Sequence, residues 1–318
     1  MRKKKIINYC LVGYGSHAER KIIPAILKSH NNLWGIVTRR KLDQSCSANV
    51  FRLLKNALKE CPKDTLFIVC NEPKNHFRVA EKIISHGFNV LIEKPMFLNS
   101  REFLEISIRN KKNFFNECFM YKFTNMYKKM RSQIKALGHL KKIDIVFTIP
   151  KLPPKSFRVS KQISASLIYD MGCYAFSFIN ENKIKINKLD LIKVFNKGNQ
   201  HKELFLLKGN GSIKKKKLML NIKFGLKKRY ENQVAIFTEH NEKYVYKPFF
   251  YGRNTKKSIN IYKRNKLVTK DIFDDEDAFF VMYNRNISEW KKEFDKNKKI
   301  AISNILMMEK IIAQYKSI

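Results

Sequence analysis

At 318 residues the chain is longer than one typical core organises and suits two domains. Its 44% hydrophobic content, with only 11 Gly and 8 Pro, excludes a disordered or fibrous chain. The formal net charge of +38 raises nucleic acid or an anionic membrane as a partner, but lysine far outnumbers arginine and runs along the whole chain beside Ile and Asn, so no specific nucleic-acid surface is expected.

The six cysteines, Cys10, Cys46, Cys61, Cys70, Cys118 and Cys173, form no CxxC pair and have no His at zinc-finger spacing. No metal is expected, and free thiols inside apolar runs fit a reducing cytoplasm. Residues 1–12 join a basic head to an apolar stretch too short for a signal peptide and read as a first strand. No run approaches the roughly 20 apolar residues of a membrane span.

In chain order, strands are predicted over 6–12, 33–38, 65–70, 89–92 and 113–117. Between them fall helices over 17–29, 48–60, 74–86 and 100–111. The first carries Ala18, Ile22 and Ile26 on one face, with Pro24 kinking it or lying in its first turns. The second turns Leu53, Leu54, Ala57 and Leu58 inward, the third ends at Gly87, and Ser100 caps the fourth. This alternation predicts βαβ units and a parallel sheet.

Beyond about residue 125 the pattern changes. A strand over 139–149 leads into a Pro-containing loop over 150–165 and a helix over 166–180. Strands follow over 185–195, 212–224, 233–238, 243–246 and 258–268, and consecutive strands imply a largely antiparallel sheet. Helices over 277–295 and 303–316 cover that sheet or return to the first domain. The predicted class is α/β: a doubly wound parallel Rossmann domain over 1–124, then an α+β substrate domain over 125–318.

The turn Gly13-Tyr14-Gly15-Ser16-His17-Ala18 is a GxGxxA fingerprint between a strand and a helix. The first Gly allows the tight turn, the second lets backbone approach a pyrophosphate, and Ala18 permits close packing. Amides at the helix start favour the negative charge. Where an acid would hold a ribose 2′-OH, this chain has Thr38-Arg39-Arg40, which can pair with a 2′-phosphate and so favours NADP, with NAD as the other choice. The alternative reading of the two arginines is a pair of solvated cations. Cys70-Asn71-Glu72-Pro73-Lys74-Asn75-His76 and Glu93-Lys94-Pro95 each close a strand at the edge where such sheets bind ligands. A lysine there can hydrogen-bond a substrate oxygen during hydride transfer.

With Asp170-Met171-Gly172-Cys173-Tyr174, these motifs in this order resemble the Gfo/Idh/MocA oxidoreductases, the family of glucose-fructose oxidoreductase and inositol dehydrogenase. Glu117-Cys118-Phe119-Met120-Tyr121-Lys122-Phe123 and Tyr174 are similar to the glucose-fructose oxidoreductase and dihydrodiol dehydrogenase branch. The resemblance implies a Rossmann domain before a mostly antiparallel α/β domain. It places Lys94 at the reacting centre, with Glu93 and Pro95 shaping the loop that holds the cofactor.

A phenol titrates near 10 in water, so Tyr174 as general acid/base needs the Lys94 ammonium as electrostatic partner. Asp170 would orient the substrate or the tyrosine. The alternative for Tyr174 is a helix residue packing with Phe176 and Phe178. The cofactor set is then Gly13, Tyr14, Gly15, Ser16, His17, Thr38, Arg39, Arg40, Cys70, Asn71, His76, Glu93 and Lys94. Tyr121, Lys122, Arg158 and Asp170 are substrate candidates, with Lys161 beside Arg158 as a second cation able to clamp a phosphate or carboxylate. The chain departs from the family pattern at Ser164-Ala165-Ser166 and at Thr124-Asn125, so the pocket differs.

The expected activity is hydride transfer between a nicotinamide and a hydroxyl or carbonyl carbon of a sugar, polyol or sugar derivative, free or nucleotide-linked. A dinucleotide-binding sensor that lost turnover is the alternative. A homo-oligomer through the C-terminal sheet, a cytoplasmic location and no membrane partner complete the expectations.

Overall fold

In the computed structural model of the chain, residues 5–42, 47–110, 112–137, 140–150, 166–198, 203–227, 229–250, 255–274 and 277–318 are described. Cys46, Arg158, Lys161, Ser164, Ala165 and loop residues 151–165 lie outside them. Contacts divide the chain into two units, Met1–Phe119 with Phe279–Ile305, and Met120–Ala278 with Leu306–Ile318.

The first unit is built on short strands, largely buried except for the edge strand β3: β1 (Asn8–Val12), β2 (Asn32–Val37), β3 (Asn49–Phe51), β4 (Leu66–Val69), β5 (Asn89–Glu93) and β6 (Phe115–Cys118). They pair in parallel in the order β3-β2-β1-β4-β5-β6. Central parallel strands are covered on both faces, which is why β4 reads as an unbroken apolar run, Leu-Phe-Ile-Val. The connecting helices are α1 (Ile23–Lys28), α2 (Leu54–Glu60), α3 (His76–Ser85) and α4 (Ser100–Arg109). Strand order reverses between β1 and β4, so their carboxyl ends open the crevice where doubly wound sheets take ligands.

Two predicted elements are corrected here, and the place of Pro24 in a first turn is as expected. Residues 48–60 are not one helix: Val50 and Phe51 extend the sheet as β3, and the Phe51 ring stacks on Trp34 at 5.7 Å. A β-branched and an aromatic residue beside an open sheet edge outweigh helical spacing, and Leu53 stays 51% exposed. The cap of α4 is Asn99, whose Oδ1 accepts from Glu102 N at 3.0 Å, rather than Ser100. Pro24 sits in the first turn of α1, behind a wide π turn at Ala18–Ile22, because proline has no N–H for the preceding turn.

The predicted helix over 277–295 is two, α7 (Ala278–Tyr283) and α8 (Ile287–Lys292), separated where Asn286 and Glu289 form a reciprocal capping box. α9 (Phe294–Ser317) starts well before the predicted 303. Residues 279–305 are tied into the first unit by polar contacts. Tyr9 Oη and Asn31 Nδ2 both donate to the Tyr283 carbonyl at 2.9 and 3.0 Å. Asn116 donates to Trp290 O at 3.3 Å and accepts from Asn297 Nδ2 at 3.0 Å.

The second unit opens with α5 (Asn125–Ala136), capped by Thr124 Oγ1 on Tyr127 N at 3.2 Å. Its strands are β7 (Leu140–Ile149), β8 (Lys185–Phe195), β9 (Leu204–Ile213), β10 (Lys216–Leu226), β11 (Glu231–Thr238), β12 (Glu242–Lys247), β13 (Lys257–Lys263) and β14 (Lys266–Phe273). The order is β14-β13-β12-β11-β7-β10-β9-β8, antiparallel throughout except for the β7–β10 pair.

Two strands differ from the sequence reading. β9 is additional: its Lys-Gly-Asn-Gly stretch hides the alternation, and a Cβ at Gly209 or Gly211 would collide with the β8 carbonyls of Lys188 and Lys185. The run over 258–268 is a hairpin, because Arg264 and Asn265 take φ of +48° and +64° and reverse the chain in two residues. The run over 166–180 resolves into a π turn at Ile168–Gly172 and α6 (Cys173–Glu181). Among the described residues no helix is long and apolar enough to cross a membrane.

Candidate active site

The ends of β1, β2 and β4 are stitched together at the first unit's carboxyl edge. Gly13 N donates to Val37 O at 3.0 Å, Cys70 N to Val12 O at 3.0 Å, and Cys70 Sγ to Gly13 O at 3.0 Å. Burial pushes the Cys70 thiol up, and the Glu93 carboxylate adds to the effect, so it is a neutral donor here. Gly13 stands at φ +110°, and a Cβ on it would lie 2.8 Å from Asn71 N. Gly15 is different: a Cβ there meets nothing within 4 Å. Tyr14 is half-buried, Ser16 and His17 are exposed, and Ala18 is buried.

These features suit a dinucleotide on this chain's own geometry. The close approach at Gly13 shapes the turn, and the space over Gly15 admits a pyrophosphate. Asn71 Oδ1 is buried without a hydrogen-bond donor among the described residues, an acceptor that a ligand can satisfy. At the end of β2, Thr38 N donates to Phe51 O at 2.9 Å and Thr38 Oγ1 accepts from Arg40 N at 3.1 Å. Arg39 and Arg40 are exposed, and the Arg39 carbonyl accepts from Arg52 Nη1 at 2.6 Å. Arg52 was missed from sequence because it follows β3, the strand hidden inside a predicted helix.

Glu93 and His76 organise the loop that carries Lys94. Burial alone would raise the Glu93 carboxyl, but the nearby His17, Lys94 and His76 outweigh it and hold it below its ordinary value. Its Oε1 lies 3.4 Å from His17 Nε2, and its Oε2 accepts from Lys94 N at 3.3 Å. His76 is fully buried with Nδ1 2.9 Å from Pro95 O and Nε2 3.0 Å from Asn71 O. The ring therefore sits between the loops after β4 and β5 with a backbone carbonyl against each nitrogen, and in its neutral form it donates to one of the two. Glu117, on β6, accepts from Met96 N at 2.9 Å and from Asn304 Nδ2 at 3.5 Å. Its anchoring role was not legible in the sequence, since partner and carboxylate are 21 residues apart. Lys94 itself is half-buried at the carboxyl end of β5.

Asp170 and Tyr174 belong to the second unit. The glycine of their motif lets the helix approach the sheet, since a Cβ on Gly172 would touch the Phe224 ring at 3.0 Å. Asp170 is half-buried. Tyr174 is buried among Tyr121, Phe147 and Phe250, and its hydroxyl points at Met120 Sδ, 3.8 Å away. Tyr121 is fully buried with its hydroxyl 2.9 Å from Ser177 Oγ, which makes it the wall behind Tyr174. Lys122 Nζ sits 2.6 Å from Glu181 Oε1, a pair largely shielded from water. Among the described residues no group of three His, Cys, Asp or Glu could hold a metal ion.

A doubly wound sheet with a glycine turn at its switch point defines the first unit as a Rossmann-type fold, followed by a mostly antiparallel α/β unit. Residues 7–113 match the model of the Gfo/Idh/MocA family, described as an oxidoreductase family with an NAD-binding Rossmann fold. Over 125 residues the chain is 28% identical to trans-1,2-dihydrobenzene-1,2-diol dehydrogenase of Xenopus laevis, covering 36% of each protein. The curated relatives are thus matched over about a third of their length.

The fold is similar to that of a 3-ketoreductase from Actinomadura kijaniata solved with NADP and TDP-benzene, at a TM-score of 0.80 and 13% identity over 98% of both chains. An aldose-aldose oxidoreductase from Caulobacter crescentus solved with glycerol aligns at a TM-score of 0.78 and 11% identity, again over 98% of both. Over its first third the chain is thus similar to the Gfo/Idh/MocA oxidoreductases, and beyond that the likeness is one of fold.

Proposed function

We propose that the protein transfers hydride between a nicotinamide dinucleotide and a CH–OH or C=O carbon of a sugar, polyol or sugar derivative. The observation that carries this reading is the carboxyl edge of the first sheet, where Gly13 is forced, Gly15 is open, Asn71 Oδ1 awaits a donor and Lys94 stands on a loop pinned by Glu93, His76 and Glu117. The nicotinamide supplies or accepts the hydride. Gly13, Tyr14, Gly15, Ser16 and His17 bind its pyrophosphate. Arg39 and Arg40, the former braced by Arg52, favour a 2′-phosphate and hence NADP.

In this reading Lys94 donates to the reacting oxygen and favours charge on it, Tyr174 exchanges its proton, and Asp170 orients the substrate. Cys70 and His76 contribute by holding the loops rather than by touching ligand. The ligands of the Actinomadura ketoreductase and the Caulobacter enzyme's name make nucleotide-linked and free sugars the first substrates to try. A second reading, a dinucleotide-binding protein without turnover, draws on the Tyr174 hydroxyl, which faces a thioether inside an aromatic cluster as a packing residue would.

A panel of sugars, polyols and nucleotide sugars, followed at the NADPH and NADH absorbance, separates the two. Turnover on at least one sugar-like compound is expected, better with NADPH. Lys94→Ala and Tyr174→Phe should each lower kcat/KM by about 10²–10⁴-fold with little change in dinucleotide Kd. Dinucleotide binding with no turnover across the panel favours the second reading, and turnover untouched by both substitutions removes the assigned roles.

A further inference from the structure

The sheet of the second unit carries a row of side chains in strict register across four neighbouring strands. Lys243 on β12 pairs with Phe237 on β11, Phe237 with Lys142 on β7, and Lys142 with Met219 on β10. Residues in one register row share a face of the sheet. The Lys142 ammonium lies 4.1 Å from the Phe237 ring centroid and that of Lys243 5.5 Å from it, so two cations crowd one ring. At one end of the row the two hairpin turns meet: Arg264 N donates to Asn241 O at 3.2 Å, with Asn241, Arg264 and Asn265 all in the left-handed region. Together they border an open pocket of about 630 Å³, lined also by Lys141 and Glu242.

The charges of this pocket do not balance. Glu242 is spent on Lys263 at 3.0 Å and the Tyr244 hydroxyl at 2.9 Å, and Lys142 is paired with Asp144 at 3.0 Å. Lys141, Lys243 and Arg264 have no carboxylate partner among the described residues. Three uncompensated cations around one concavity repel one another until an anion enters. The volume exceeds what inorganic phosphate fills and falls in the range of small-molecule sites. Met219, 49% exposed, and Phe237 give it an apolar floor.

We propose that this pocket is a second ligand site, for a phosphate-bearing small molecule of nucleotide size: its phosphates on Lys141, Lys243 and Arg264, its flat or apolar part on Met219 and Phe237. The site is made wholly of second-unit residues. It is also remote from Tyr174, because Phe147, which touches Tyr174 at 5.3 Å between ring centroids, is five residues from Lys142 on one extended strand, about 17 Å. It does not depend on the proposed oxidoreductase chemistry.

Calorimetric titration of pyrophosphate and of ADP into the full chain, at about 150 mM salt to suppress diffuse attraction and with NADP in excess, tests it. Binding of both is expected, weakened at least tenfold by the triple substitution Lys141→Ala, Lys243→Ala, Arg264→Ala. It should survive the control triple Lys55→Ala, Lys59→Ala, Lys82→Ala, which removes equal charge from exposed helix positions in the first unit. Unchanged affinity in the pocket variant, or equal loss in the control, overturns the proposal. So does a single-stranded oligonucleotide that requires the same three cations when neither pyrophosphate nor ADP binds, since the surface would then serve nucleic acid. Circular dichroism of the pocket variant guards against unfolding; if the triple is unfolded, Arg264→Ala alone, in an exposed turn, carries the test and must weaken both probes measurably.

Discussion

At the residue scale the two glycines of the nucleotide turn separate folding from binding. Gly13→Ala forces a Cβ against Asn71 backbone at a φ of +110°, a conformation costing about 1–3 kcal/mol before the collision is counted. Urea unfolding should show at least that loss. Gly15→Ala places its methyl in open space, so its unfolding midpoint should match the parent while dinucleotide affinity drops tenfold or more. Equal behaviour of the two variants in both assays would contradict the assignment.

His76 supplies a pH dependence. Burial holds its imidazole below the ordinary 6.5, against the opposing pulls of the Pro95 and Asn71 carbonyls and Glu93. Below 6.5 the unfolded chain therefore binds a proton that the folded chain refuses, and stability falls until the pH passes the folded value. The urea midpoint should decline between about pH 7.5 and 5.5, and His76→Gln should flatten that decline. An identical slope in the variant would show that other histidines set it.

At the element scale, the loop after β5 is held by side chains from β6 and from the first residue of α3. Glu117→Ala strips the acceptor from Met96 N, and a buried donor left unpaired costs about 1–3 kcal/mol. Glu117→Gln keeps an acceptor oxygen and should cost less. The comparison is made by chemical unfolding, and no difference between Ala and Gln would mean that water replaces the carboxylate.

These elements also show what the chain makes visible in advance. β1, β4 and β5 are read directly, because buried parallel strands are short apolar runs with turn residues at their ends. β3 and β9 are not: Val50 and Phe51 sit among residues spaced as in a helix, and Gly209 and Gly211 interrupt alternation for the sake of the neighbouring strand. The anchoring of Met96 by Glu117 and the bracing of Arg39 by Arg52 are equally invisible, since each joins groups far apart in the chain through one geometry.

On the scale of the whole molecule, a formal charge of +38 makes the folded state repel itself more than the expanded chain does. Raising salt from about 20 to 300 mM shortens the Debye length severalfold and should lift the thermal midpoint by several degrees, read by scanning calorimetry. A midpoint that falls over this range would mean that specific ion pairs such as Lys122–Glu181 outweigh the diffuse repulsion.

The sequence by itself determined the class of fold, the glycine turn, the lysine after β5 and the basic end of β2, because each rests on neighbours in the chain and on which conformations they can adopt. Only the tertiary structure decided that His76 meets a backbone carbonyl at each ring nitrogen, that Tyr121 is a buried wall, that Lys122 is claimed by Glu181, and that three cations without a carboxylate partner line one pocket. Whether a polar side chain faces a ligand or a partner depends on what distant residues bring within 3 Å of it, and local sequence carries no record of that distance.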